Sequence, residues 1–299
     1  MKLLLDIAIP AITFVLLGAV GLDLRVEGFR RVARQPGVML AGLAGPVLLL
    51  PLLALGLLAI FRPSPAVAAG LLLIAACPIG GISNTYSMLA RASTALSVAL
   101  TGISCVLATI TIPASTLFFS WAVGNPLSFG VPARTLALQV LLVLALPVGL
   151  GMVVRHRWPG VADDHQGMIR RVGFLALGLL ILLVMYDQWA EFGRDLRNRV
   201  SLAASFVVLS FLAGWLIARV VRCDARDQFT LAAEFATRNV AIATAIAVTI
   251  LGRVDFAVFA TTYFLTETPL LVLAVVVFRT GEARGWSEWG QTRPGTGRV

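Results

Sequence analysis

The sequence predicts an all-α polytopic membrane protein, mainly from its composition and from the length of its apolar stretches. Of its 299 residues 59% are hydrophobic and 13% charged, and the mean hydropathy is +0.91. A soluble domain is about one quarter charged, so this chain lacks the polar residues to cover a core in water. Nine stretches reach the ~20 apolar residues that a helix needs to cross a bilayer, and they lack the alternating polarity of barrel strands.

The loops between these stretches predict how the chain crosses the membrane. Of the 24 Lys and Arg residues, sixteen fall on one side of the predicted bundle and seven on the other. Because basic loops stay in the cytoplasm, we expect the N-terminus outside and the C-terminus inside. The basic pI is therefore a topological signal, and nucleic-acid binding is excluded. The nine predicted spans are approximately 4–23, 38–61, 65–90, 93–123, 134–154, 172–189, 200–221, 228–251 and 255–278.

The third predicted span contains a run that is unsuited to a continuous helix, Cys-Pro-Ile-Gly-Gly-Ile-Ser-Asn at 77–84. Such a run should unwind in mid-membrane. Unwound backbone is tolerated at that depth where it lines a cavity or coordinates a ligand. In an alternative interpretation, the glycines only allow neighbouring helices to pack closely.

Among the charged residues of the predicted spans, three stand out because they lie well away from the span ends, namely Glu234, Arg238 and Glu267. A charge at the centre of a span costs ~2.5–3.5 kcal/mol on the insertion scale, so each needs a partner or a task. Glu234 and Arg238 could form an ion pair on one helix face, or could form a polar site with Asn239. Glu267 could neutralise Arg238 or could serve a site of its own.

The two polar interruptions, in the third and eighth spans, run in opposite directions across the membrane. This arrangement is typical of inverted repeats, in which broken helices meet near the midplane to bind substrate and coupling ion. Secondary transport is therefore the predicted class. The oxygen-bearing side chains suit a hard cation, with sodium as the candidate and a proton on Glu234 as its competitor. An intramembrane enzyme is a remote alternative, because no predicted span contains a histidine.

Four stretches carry a resemblance to a known family: the run at 77–84, Leu-Ala-Arg at 89–91, Ala-Leu-Ser-Val-Ala-Leu-Thr at 95–101 and Glu234 to Asn239. Together they resemble the bile acid:sodium symporter family. The likeness covers nearly the whole chain and is closest to a bacterial nine-span form. It implies a multi-pass protein of the bacterial inner membrane, with two crossing broken helices. A core (approximately 38–123 and 200–278) would move against a panel (approximately 4–23, 134–154 and 172–189). The core and the panel together form a transmembrane domain at 1–279, and residues 280–299 are expected to be a disordered cytoplasmic tail.

The resemblance also implies the site residues. The family's first sodium site carries over onto Ser83, Asn84, Ser97, Thr101 and Glu234. Its second ion site is degenerate here, at Phe235, Thr237 and Arg238, because Arg238 replaces a glutamine and Pro46 aligns with another. A guanidinium has no acceptor and cannot ligate sodium. Arg238 is therefore expected either to act as a built-in cation or, with Asn239 and Gly81, to bind the substrate.

The predicted function is sodium-coupled import of an organic anion by alternating access, with one sodium ion because Arg238 replaces the second. A proton-coupled or uncoupled organic-anion carrier is the alternative. The expected ligands are Na⁺, a small organic anion and membrane lipid, with no prosthetic group. The sequence specifies neither the anion nor an oligomeric state.

Overall fold

A computed structural model describes residues 2–23, 35–123, 146–193 and 195–283, with residues 138 and 142 between them. Within these ranges the chain forms thirteen α-helices. They are α1 (Lys2–Asp23), α2 (Pro36–Phe61), α3 (Pro65–Ala76), α4 (Ser83–Leu89), α5 (Thr94–Val123), α6 (Leu146–Arg157), α7 (Pro159–Asp164), α8 (Gln166–Asp187), α9 (Trp189–Gly193), α10 (Leu196–Val220), α11 (Ala225–Ala236), α12 (Val240–Ala245) and α13 (Val254–Ala283). A π turn, Ile246–Ile250, continues α12.

The all-α polytopic fold is confirmed. Five of the described helices are long and apolar enough to cross a membrane: α2, α5, α10, the Gly167–Asp187 part of α8 and the Val254–Gly281 part of α13. Their outward faces carry large apolar side chains such as Ile110, which is 70% exposed, as expected where lipid is the solvent. The count of nine spans stays a prediction, since ten of the 21 residues of the fifth lie outside the described residues.

The third and eighth predicted spans are each broken, as the sequence predicts. The third divides into α3 and α4 around residues 77–82, where Pro78 supplies no backbone N–H. The eighth divides into α11 and α12 around residues 237–239. There the Asn239 side chain accepts a hydrogen bond from the Ile242 N–H at 3.1 Å and so caps the second half. The alternative in which the glycines only allow neighbouring helices to pack closely does not account for this break.

The C-terminal boundary of the last span differs from the prediction. Helix α13 continues to Ala283, so residues 280–283 are helical rather than disordered. The prediction placed the end where hydrophobicity falls, which marks the edge of an apolar span but not the end of a helix. Nothing at 279–283 breaks the helix, and the Thr280 hydroxyl donates to the Val276 carbonyl at 3.0 Å. The rest of the predicted tail, 284–299, lies outside the described residues.

The helices pack around α10, which lies against α2, α11 and α13. Helix α1 packs mainly against α6 and α8. The backbones of α1 and α6 lie too close together for side chains between them. A Cβ on Gly21 would lie 2.2 Å from the Val148 carbonyl oxygen, and a Cβ on Gly151 would lie 2.3 Å from the Gly18 carbonyl oxygen. Small residues allow such contacts between membrane helices. The division into a moving core and panel stays a prediction.

The predicted orientation can be tested by labelling single cysteines. Ser64 lies in the exposed turn between α2 and α3, and Asp164 is exposed at the end of α7. In intact cells, an impermeant thiol reagent is expected to modify Ser64→Cys and to reach Asp164→Cys only after permeabilisation. The reverse result would overturn the topology. Burial raises the pKa of Cys223 to about 11, so its thiolate is scarce at neutral pH and background labelling is slow; a Cys223→Ser parent removes the remainder.

Candidate functional site

The two helix breaks cross each other and pair through their backbones. Ile79 and Arg238 face each other as an antiparallel bridge. The Gly80 N–H donates to the Thr237 carbonyl at 3.2 Å, and the Asn239 N–H donates to the Pro78 carbonyl at 2.9 Å. Backbone groups in a bilayer must find partners within the protein. Each broken segment therefore satisfies part of the backbone of the other, and we call residues 77–82 and 237–239 the crossover.

Side chains from two long helices brace the crossover. Ser104 on α5 accepts from the Ile79 N–H at 3.2 Å and donates to the Thr101 carbonyl at 2.8 Å. The Tyr263 hydroxyl on α13 donates to the Ala236 carbonyl. Sequence reasoning missed Ser104 and Tyr263. Both lie in long apolar helices, and the only available signal was a polar group in a lipid-length segment, which does not reveal its partner.

An oxygen cluster surrounds the fully buried carboxylate of Glu234 in the last turn of α11. The Ser97 hydroxyl contacts both Glu234 Oε1 and Asn84 Oδ1, the latter at 2.7 Å. The Thr101 hydroxyl donates to Glu234 Oε2 at 3.2 Å, and Ser83 Oγ lies 3.3 Å from Thr101 Oγ1. The structure thus brings together all five residues predicted for the first sodium site.

The local fold explains why these side chains converge. Ser83 and Asn84 begin α4 immediately after the break. Ser97 and Thr101 are four residues apart near the start of α5, so they share one helix face. Glu234 comes from α11 on the other side of the crossover. Two consecutive helices, α4 and α5, and the distant helix α11 therefore each contribute oxygen atoms to one buried point.

The cluster has more acceptors than donors. Ser97 has a single hydroxyl hydrogen, yet it faces both the Glu234 carboxylate and the Asn84 amide oxygen. No salt bridge to Glu234 occurs among the described residues. A negative charge surrounded by neutral oxygens, with lone pairs left over, is a ligand set suited to a small hard cation.

The Arg238 guanidinium is directed at carbonyl groups rather than carboxylates. Its Nε donates to the Cys77 carbonyl at 3.1 Å, Nη2 donates to the same oxygen, and Nη1 lies 3.5 Å from the Glu234 carbonyl. These carbonyls belong to the C-terminal ends of α3 and α11, where the helix dipole is negative. The ion pair that one continuous helix would allow between Glu234 and Arg238 is therefore replaced by a cation joining two helix ends.

Glu267 on α13 does not pair directly with Arg238. Its side chain is fully buried, and neither carboxylate oxygen has a hydrogen-bond partner among the described residues. The Thr237 hydroxyl lies nearby, but it too lacks a partner that meets hydrogen-bond geometry. Glu267 thus interacts with Arg238 only by long-range electrostatics, without a hydrogen bond or salt bridge between them.

The residues predicted for the second ion and for the substrate lie in different surroundings. Arg238 and Pro46 line the same cavity of about 20 Å³, together with Ser104, which has room for about one water molecule. Phe235 is fully buried in α11 and Thr237 in the crossover. The Asn239 oxygen is used in capping α12, which leaves its NH₂ group for a ligand. Gly81 is half-buried at the end of the first break.

Comparison with known proteins identifies the family. The profile of the sodium bile acid symporter family matches residues 10–191, which is more than half of the chain. The chain belongs to the sodium bile acid symporter family. This is a family of sodium-dependent membrane transporters rather than enzymes, so the prediction of membership in a sodium-dependent transporter family is confirmed.

The family relatives include bacterial and animal proteins. The chain is 26% identical over 238 residues to the uncharacterized sodium-dependent transporter YocS of Bacillus subtilis, covering 78% of this chain and 71% of the relative. It is 28% identical over 250 residues to the human sodium/bile acid cotransporter 4, covering 81% of this chain and 56% of the relative. It is 24% identical over 249 residues to a bovine sodium-dependent organic anion transporter, covering 79% and 63%. The chain thus spans less than two thirds of these two animal proteins.

The close approach at the crossover gives a stability prediction. A Cβ at Gly80 would lie 2.7 Å from the Arg238 carbonyl oxygen, and neither backbone can retreat without losing its hydrogen bonds. We expect Gly80→Ala to lower the free energy of unfolding by about 1–3 kcal/mol. Gly178→Ala in α8 is the matched control, since nothing lies within 4 Å of its Cβ position. Equal melting temperatures for the two purified variants would contradict the packing argument.

Proposed function

We propose that the protein imports a small organic anion by alternating access across a bacterial inner membrane, coupled to one sodium ion. The observation that carries this proposal is the acceptor-rich cluster of Ser83, Asn84, Ser97, Thr101 and Glu234. Its position supports transport, because it lies against a crossover of two broken helices, where secondary transporters bind their ions.

Electrostatics supports sodium at this cluster. A buried carboxylate without a counter-charge is strongly unfavourable, and a cation bound to Glu234 removes that penalty. The C-terminal end of α11 adds a negative dipole beside the ion. The neutral ligands are amide and hydroxyl oxygens, which suit a hard monovalent ion with no need for nitrogen or sulfur ligands.

Arg238 supports a stoichiometry of one sodium ion per cycle. Its guanidinium contacts the carbonyls of Cys77 and Glu234, and carbonyls at the ends of broken helices are groups that coordinate ions in transporters. A fixed positive charge at this point repels a second cation. Arg238 is thus a built-in cation in the degenerate site formed with Phe235 and Thr237.

The substrate is proposed to be an organic anion held next to the crossover. The name of the bovine relative supports an organic anion as the substrate class. The Asn239 NH₂ group and the Gly81 N–H are the proposed contacts, and the Arg238 N–H groups not directed at carbonyls would join them in the alternative in which Arg238 serves the substrate. All of them are donors, as a carboxylate or sulfonate requires.

Proton coupling is the competing mechanism, because a buried carboxylate can bind a proton instead of sodium. An uncoupled carrier is the third possibility. Uptake of anions into vesicles with an imposed sodium gradient, an imposed proton gradient or neither separates the three. Stimulation by sodium alone supports the proposal.

The ion site gives a direct mutational prediction. Glu234→Gln removes the charge that offsets sodium desolvation, and Asn84→Ala removes a neutral oxygen ligand. Each should abolish sodium-stimulated uptake while leaving the amount of protein in the membrane unchanged. Thr116→Val on α5 is the control, since its buried hydroxyl donates only to the Pro113 carbonyl of its own helix. Full stimulation in both site variants would refute the assignment.

Arg238 gives a prediction about stoichiometry. With one ionic site, the sodium dependence of uptake should have a Hill coefficient of about one. Arg238→Gln removes the fixed charge and supplies a neutral acceptor, so a second sodium should bind weakly and the coefficient should rise. If Arg238 serves the substrate instead, the same variant should raise the half-saturating anion concentration and leave the sodium dependence unchanged. A coefficient near two in the wild type would refute the built-in cation.

A further inference from the structure

A large apolar groove runs along the outside of the bundle between α10, α11 and α13. Its volume is about 610 Å³, much larger than the cavity beside Arg238. Its walls are aliphatic and aromatic and include Phe211, Trp215, Phe229, Ala274 and Phe278. The groove opens to the surface that faces the hydrocarbon, since Leu273 and Val277 in its lining are 58% and 52% exposed.

The length of the groove matches half a bilayer. Along α13 it extends from Leu270 to Gly281, which is ~16 Å of helix at 1.5 Å per residue. The hydrocarbon core is ~30 Å thick, so the groove spans about one leaflet. One end lies in mid-membrane. The other lies where α10 and α13 end and α11 begins, which is the membrane surface.

The surface end of the groove is positively charged. Arg219 stacks on the ring of Trp215, with 4.8 Å between its guanidinium carbon and the ring centroid. Arg222, just after the end of α10, and Arg279, near the end of α13, are both exposed. The exposed carboxylate of Asp224, just before α11, accepts from the Asp227 N–H and is used in capping α11. This end therefore presents arginines to any ligand lying in the groove.

We propose that the groove is a specific binding site for an anionic phospholipid, with one acyl chain between α10 and α13 and the phosphate against Arg219, Arg222 and Arg279. An apolar trough of one-leaflet length fits an acyl chain. A cluster of arginines at its mouth fits a phosphate, which guanidinium groups bind in bidentate fashion. Basic pockets between membrane helices recognise anionic headgroups by this combination.

The bound lipid would contact the half-helix that carries the ion site. Phe229 on α11 lies against Phe278, with ring centroids 4.7 Å apart, and against Phe211 at 6.0 Å. All three line the groove. An acyl chain packed on them holds the first two turns of α11, the helix whose last turn contains Glu234. The lipid should therefore stabilise the folded protein whether or not the proposed sodium site is correct.

The test uses the purified full-length protein in detergent, with dioleoyl phosphatidylglycerol and dioleoyl phosphatidylcholine as probes. Because the chains are identical, any difference is due to the headgroup. Native mass spectrometry should show tighter binding of phosphatidylglycerol, and its addition should raise the melting temperature more than phosphatidylcholine does. Arg219→Gln should weaken phosphatidylglycerol binding about fivefold. Arg197→Gln, an exposed arginine at the opposite end of α10, should leave it unchanged.

A second pair of variants tests the groove itself. Ala274→Trp fills the groove and should abolish binding of both lipids. Val276→Trp adds the same side chain two residues along α13 at a 52% exposed position outside the lining and should have no effect. Equal binding of the two lipids, or unaltered binding in Ala274→Trp, overturns the proposal. A concentration-dependent dimer that Ala274→Trp disrupts also overturns it, because the groove would then hold a second copy of the chain.

Discussion

The contact between the Arg238 guanidinium and the Cys77 carbonyl is the interaction on which the centre of this molecule depends. It places a permanent positive charge where the C-terminal ends of α3 and α11 meet. Two helix ends that point their carbonyls at each other in a low-dielectric interior repel each other. A cation between them turns that repulsion into attraction. The backbone pairing between residues 78–80 and 237–239 can then form without water.

Glu234 connects this arrangement to the oxygen cluster, because its backbone and its carboxylate contact different partners. Its backbone carbonyl lies beside Arg238, while its carboxylate lies among the hydroxyls of Ser97 and Thr101. Two residues further on, the Ala236 carbonyl is held by Tyr263. The last turn of α11 is therefore fixed from three sides. A change at the crossover cannot leave the geometry of the cluster untouched, so the two sites form one structural unit.

The helical membrane fold and the two helix breaks could be predicted from the sequence, because each depends on residues that are close together along the chain. Composition and segment length were sufficient for the helical membrane fold, and the Pro-Gly-Gly run and the polar stretch at 234–239 were sufficient for the two breaks. The convergence of Ser83, Asn84, Ser97, Thr101 and Glu234 followed from resemblance, and the structure places them together. Direct partners across the bundle could not be predicted. Arg238 offered two carboxylates as obvious partners, yet its hydrogen bonds go to carbonyls, which every residue carries and no sequence pattern marks. Tyr263 and Ser104 escaped notice for the same reason.

The single hydroxyl hydrogen of Ser97, shared between Asn84 and Glu234, has a mechanical consequence. Without a cation, this hydrogen and that of the Thr101 hydroxyl provide contacts that join α4, α5 and α11. A sodium ion at the proposed site would require the same oxygens to turn their lone pairs inward and the hydroxyl hydrogens to rotate away, a motion of picoseconds to nanoseconds for a small side chain. The proposed ion would then link the three helices through its coordination bonds and would release them when it leaves. Under the proposed function, the stiffness of the crossover would then depend on the sodium concentration on the side to which the site is open.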